Sequence, residues 1–115
     1  MGFRRGEIVL VLFPDSNLRT AKRRPTLVVQ AENLGTGLPQ TIVAMISSNL
    51  ARSGHPSRVE VSLATPQGRL SGLLTDSVIL TDNLATVLDS EIDRVIGTWP
   101  DMAAVDAAVR RTLGL

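Results

Sequence analysis

Apolar residues in this chain fall into short, nearly unbroken runs. Glu7-Ile8-Val9-Leu10-Val11-Leu12-Phe13 is a β-branched run closed by Pro14. Thr26–Gln30, Thr41–Ile46, Val59–Leu63 and Ser77–Thr81 are further runs bounded by Gly, Pro, Asn or Ser, and Val95-Ile96-Gly97-Thr98-Trp99 is ended by Pro100. Short β-rich runs between turn residues are the signal of strands. Five or six of them within about 95 residues predict a mainly β protein, a small closed barrel or a tightly curled sheet. The runs are too continuous for a sheet with one wet face.

The period then changes. Asp101, after Pro100, is placed as an N-cap, and Met102, Val105, Val109 and Leu113 recur at helical spacing. Alanines at 103, 104, 107 and 108 favour helix, Arg110 and Arg111 suit the negative end of its dipole, and Gly114 stops it. The spacing predicts a C-terminal helix that lays its apolar stripe on the barrel.

At 115 residues, 43% of them hydrophobic and 20% charged, the chain is read as a single folded domain over 1–115. It has no cysteine, which excludes a disulfide framework and a thiolate metal site and fits a reducing cytoplasm. No secretory leader pattern opens the sequence, and no apolar stretch approaches the roughly 20 residues that span a bilayer, so no membrane partner is expected. The net charge of +1 conceals an asymmetry. Residues 1–69 carry nine basic and four acidic side chains, whereas residues 70–115 carry three and seven. A basic half facing an acidic half points to a polyanionic partner held by a few placed residues.

The most pointed chemistry is Lys22-Arg23-Arg24-Pro25, which leads into Thr26-Leu27-Val28-Val29. Proline suits the first position of a strand and biases Arg24 toward extended backbone, so the guanidinium is carried on a rigid mount. Its flat fork of five donors fits phosphate oxygens. Three loops hold most of the remaining cations: Pro14–Arg24 with Arg19, Lys22 and Arg23; Ala51–Arg58 with Arg52 and Arg58; and Ala64–Gly72 with Arg69. Singly these are solvated charges, but together they outline a groove for a nucleic-acid backbone. Phe3, Phe13 and Trp99 are the only aromatics, so recognition should lean on hydrogen bonds and backbone contacts more than on stacking. His55 offers an imidazole of the kind used as a general base but lies in a Gly/Pro loop, and reads as a solvated loop histidine.

In order along the chain, five segments resemble the PemK/MazF toxins of type II toxin–antitoxin pairs. Arg5-Gly6-Glu7-Ile8-Val9 looks like that family's opening strand, Arg24-Pro25-Thr26-Leu27-Val28-Val29 like its Arg-Pro strand, and Val43-Ala44-Met45-Ile46-Ser47-Ser48 like the strand ending in a hydroxyl. Thr75–Asp82 resembles the later strand with an acidic end, and Val95-Ile96-Gly97 with the terminal helix resembles the family's tail. The resemblance implies an SH3-like barrel of five to seven strands with a C-terminal α-helix, paired as a homodimer. It implies an endoribonuclease that cuts single-stranded RNA, such as mRNA, without metal or other cofactor: the 2′-hydroxyl attacks the adjacent phosphate and leaves a 2′,3′-cyclic phosphate. A cognate antitoxin would block the groove.

Carried over by position, the resemblance makes Arg24 and Ser47 catalytic, with Asp82 as a possible acceptor for the 2′-hydroxyl proton. The local reading leaves Ser47 open as a strand-end hydroxyl bonded to backbone, and Asp82 open as a turn residue in Thr81-Asp82-Asn83. Arg19, Lys22, Arg23, Arg52, Arg58 and Arg69 are the candidate RNA contacts. The sequence departs from the family in three places: the first loop carries Arg19 where relatives carry an acid, Ser47 replaces the commoner Thr, and Ala85 replaces a basic residue. These departures keep two other readings in view, a weakly active or non-catalytic member that binds RNA or antitoxin, and a CcdB-like gyrase inhibitor.

Overall fold

Consecutive residues of a strand face opposite sides, so an unbroken apolar run needs a dry environment on both. That condition organises this molecule. A computed structural model describes residues 2–14 and 19–115 and shows six antiparallel strands: β1 (Glu7–Pro14), β2 (Ala21–Val28), β3 (Gln40–Ser47), β4 (Arg58–Val61), β5 (Ser77–Leu88) and β6 (Ile92–Thr98). Two helices, α1 (Pro66–Leu70) and α2 (Met102–Leu113), complete the fold. The sheet runs β4-β5-β3-β2-β1-β6. Ile8, Leu27, Ala44 and Ile79 turn to one core, shared with Trp99 and Val105, while their neighbours Val9, Val28 and Val43 turn to a second core with Val11, Val87 and Ile92.

The sheet curls without closing. Val59 and Val61 of one edge strand and Ile96 of the other pack on the same core, yet β4 and β6 do not pair. The connection from β4 to β5 fills the gap. A Cβ on Gly72 would stand 1.9 Å from the Ile96 carbonyl oxygen, and one on Gly97 2.3 Å from the Ser71 carbonyl carbon. Only glycine permits backbones to meet this closely. Of the closed barrel and the curled sheet expected from sequence, the second is what forms.

Three boundaries differ from expectation. The segment 64–72, read as a loop, contains α1: Thr65 Oγ1 accepts from Gly68 N at 3.0 Å and Pro66 opens the first turn, a helix too short to show a period. β2 begins at Ala21, so Arg24 and Pro25 lie within the strand rather than before it and at its start. Pro25 is accommodated because it pairs with Leu10 of β1, while β3 pairs with β2 only from Thr26 onward. Residues 15–18 of the expected first loop lie outside the described residues. β5 does not stop at Thr81. It bulges there and continues, since Met45 pairs with Leu80 and the adjacent Ala44 with Leu84.

The terminal helix forms as its pattern predicts. Asp101 Oδ1 accepts from Ala104 N at 3.2 Å, and Gly114 ends the helix with φ 72°. Val105 and Ala108 are buried. Arg5 ties the helix to the sheet by donating to the Val29 carbonyl and to Asp106. The Thr81 and Thr112 hydroxyls, 2.9 Å apart, make a second tie. Among the described residues, no helix is long and apolar enough to cross a membrane.

Candidate nucleic-acid interface

Because β3 pairs with β2 only from Thr26, the basic half of β2 has one free edge. A cleft of about 640 Å³ opens there. Lys22, Arg23 and Arg24 line one wall, Ser47 and Arg52 another, and Arg94 of β6 reaches it from the far side of β1. The floor is apolar, built by Leu10, Met45, Leu80 and Ile96. The turn held by Gly72 and Gly97 supplies Leu73, Leu74 and Thr75 as a further wall. Among the described residues, no carboxylate and no histidine lines the cleft.

Ser47 and Arg52 arrive together for a local reason. Ser47 Oγ accepts from Asn49 N at 3.1 Å, and Asn49 Oδ1 accepts from Ala51 N at 3.1 Å. The chain thus turns at once into a short 3₁₀ segment, Leu50–Arg52, that brings the guanidinium back to the cleft. The bond occupies a lone pair of Ser47 and leaves its hydroxyl hydrogen free to donate. Ser47 is thus bonded to backbone and also lines the cleft.

Asp82 is elsewhere. Arg58 donates to it through Nη2 at 2.8 Å and Nε at 3.5 Å, and Arg58 Nη1 donates to the Arg52 carbonyl at 3.1 Å. The Arg58 hydrogen bond holds the Asp82 carboxyl below its usual range, which weakens it as a base. Neither residue lines the cleft, so the structure does not bring Asp82 together with Arg24 and Ser47, nor Arg58 into the same cleft. The cause is the β5 bulge, which leaves Asp82 and Asn83 unpaired with β3; of the two, it is Asn83 that lines the cleft.

Arg69 also lies apart, donating to the Ala64 carbonyl at 3.3 Å. Arg19 is exposed and does not line the cleft. His55 Nδ1 accepts from Ser57 N at 3.1 Å, a loop-stabilising contact. Sequence reasoning missed Arg94, Thr75 and Asn83. Arg94 left no local signal, because only the strand order carries it to the cleft.

A curled antiparallel sheet with a terminal helix and a cation-walled cleft at one strand end defines a small β module. Residues 4–113 match the model of the PemK-like, MazF-like toxins of type II toxin–antitoxin systems, and the chain belongs to that family. It is 33% identical over 107 residues, 90% of each chain, to the endoribonuclease MazF6 of Mycobacterium tuberculosis and, to the same extent, to the endoribonuclease MazF2 of Mycobacterium bovis. Its fold matches the M. tuberculosis toxin MazF-mt6 with a TM-score of 0.74 at 23% identity, covering 95% of this chain and 97% of that one. It also matches a mycobacterial endoribonuclease in complex with its cognate antitoxin, with a TM-score of 0.74 at 19% identity over 99% and 97%.

Proposed function

We propose that this chain is an endoribonuclease toxin that cuts single-stranded RNA by transesterification in the cleft between β2 and β3. The observation that carries this reading is the gathering of Arg24, Ser47 and Arg52 around one cleft. Attack of the 2′-oxygen on phosphorus forms the new P–O2′ bond and breaks P–O5′, giving a 2′,3′-cyclic phosphate and a 5′-hydroxyl. The five-coordinate phosphorus carries extra negative charge, which fixed guanidinium groups stabilise before the reaction begins. Ser47 adds a neutral donor. The 2′-hydroxyl proton passes to water, and water protonates the leaving oxygen.

Metal independence belongs to the same reading, since the guanidinium groups lining the cleft supply the positive charge that a metal would otherwise bring to the phosphate. A homodimer, a cognate antitoxin that covers the cleft, and a cytoplasmic location complete it. The test is direct. Purified protein is incubated with a long unstructured transcript in EDTA, as wild type, Arg24→Ala and Ser47→Ala. Cleavage that persists in chelator and is lost in Arg24→Ala supports the reading. Activity only on metal addition, or full activity in Arg24→Ala, contradicts it.

A further inference from the structure

The register of β6 on β1 slips within the cleft. Leu10 pairs with Arg94 and the next residue, Val11, pairs with Ile92, so Asp93 is left without a partner on β1. This extra residue reaches across β1 to β2, where Asp93 Oδ2 stands 3.1 Å from Arg23 Nε. Arg94 lines the cleft and has no ion-pair partner among the described residues. One bulge therefore does two things: it sets a carboxylate against one cleft cation and presents another unpaired.

Resting on the RNA-cleaving reading above, we propose that Arg94 is a backbone-phosphate contact that extends the RNA track across the cleft to β6, while Asp93 restrains Arg23 from the same task. Arg24, Arg52 and Arg94 bound the cleft from three different elements, so a strand lying over the apolar floor meets at each wall a guanidinium with no ion-pair partner among the described residues. Arg23 lines the cleft too, but its charge is offset and its Nε is occupied. Counting cations along the sequence would rank Arg23 above Arg94. The fold reverses that order.

The test measures binding of a labelled random-sequence oligoribonucleotide, made uncuttable by 2′-O-methyl riboses, across a sodium chloride series. A phosphate contact on a single strand contributes about 0.7 to the slope of log affinity against log salt, so Arg94→Ala should lower the slope by about that amount and weaken binding about fivefold. Arg94→Gln should behave alike and Arg94→Lys should keep the slope, with unfolding midpoints close to wild type throughout. Arg23→Ala should change the slope little, and Asp93→Asn should steepen it. Wild-type affinity and slope in both Arg94→Ala and Arg94→Gln would overturn the role of Arg94, and an unchanged slope in Asp93→Asn would overturn that of Asp93. Should the wild type neither bind this probe nor cut a transcript, the RNA reading itself falls, a result distinct from intact activity with indifferent variants.

Discussion

Asp82 lies 2.8 Å from Arg58, and the pair sits beside the cleft, not in it. The contact braces the β5 bulge against the loop that carries Arg52, since Arg58 also donates to the Arg52 carbonyl. Its pH dependence has a defined sign. The Asp82 pKa is depressed in the folded state, so the contribution is fully present above the unfolded value of about 4 and is lost as pH falls through the lower folded value. At neutral pH Asp82→Asn should cost about 0.5 kcal/mol, as for part-exposed pairs, and the difference from wild type should shrink in acid. Urea unfolding at several pH values checks this. Cleavage should change little, and a large fall in kcat would restore Asp82 as the base.

Ser47 has two duties that substitution separates. Ser47→Ala removes both the donor facing the cleft and the acceptor for Asn49 N. By comparison with single oxyanion donors, kcat should fall by about 10²-fold. Ser47→Thr keeps the hydroxyl and stiffens χ1, so it should retain most activity. Single-turnover cleavage of one transcript by the three proteins decides it; equal losses in both variants would assign the effect to space rather than to the hydroxyl.

The seam between α1 and β6 should tolerate no side chain. In Gly72→Ala a Cβ collides with the Ile96 carbonyl in a backbone already at φ 72°, and in Gly97→Ala it collides with Ser71. Each should destabilise by about 3 kcal/mol, the upper range for overpacking. Gly114→Ala has the same positive φ in open space and should cost only about 1 kcal/mol. Denaturant midpoints rank the three. The seam variants should also lose cleavage ahead of global unfolding, because Leu73, Leu74 and Thr75 form a cleft wall.

Strand interiors were readable because each apolar run feeds two cores, and the terminal helix because its caps and its period agree. The placement of Arg24 and Ser47 was readable by likeness to a family. What escaped depends on partners distant in sequence. Pro25 reads as a strand start, yet β1 pairing extends β2 back to Ala21. Thr81-Asp82-Asn83 reads as a turn, yet pairing with β3 resumes beyond it. Arg94 lies in the acidic half of the chain, so a tally of charge by halves hides it. Gly97 did carry a usable signal: an isolated glycine inside a strand marks close backbone approach, here by Ser71.

Ala85, where the family resemblance leads one to expect a basic residue, bears on whether this chain has lost activity. The side chain is half-buried and packs on the second core, and its backbone pairs with Val43 in the continuous stretch of β5 beyond the bulge. It does not line the cleft. The absence of a cation at this position therefore removes no charge from the cleft wall, which already holds Arg24, Arg52 and Arg94. Ala85→Lys must force a long stem against Val43 and its neighbours, or bend it out to water, at a cost of about 1 kcal/mol. Stability should fall by that amount in denaturant unfolding, while the rate of RNA cleavage stays within about twofold of wild type, under half a kcal/mol in the barrier. A rise of tenfold or more in cleavage would show instead that a cation at this position serves the reaction, and that Ala85 marks a weakened enzyme.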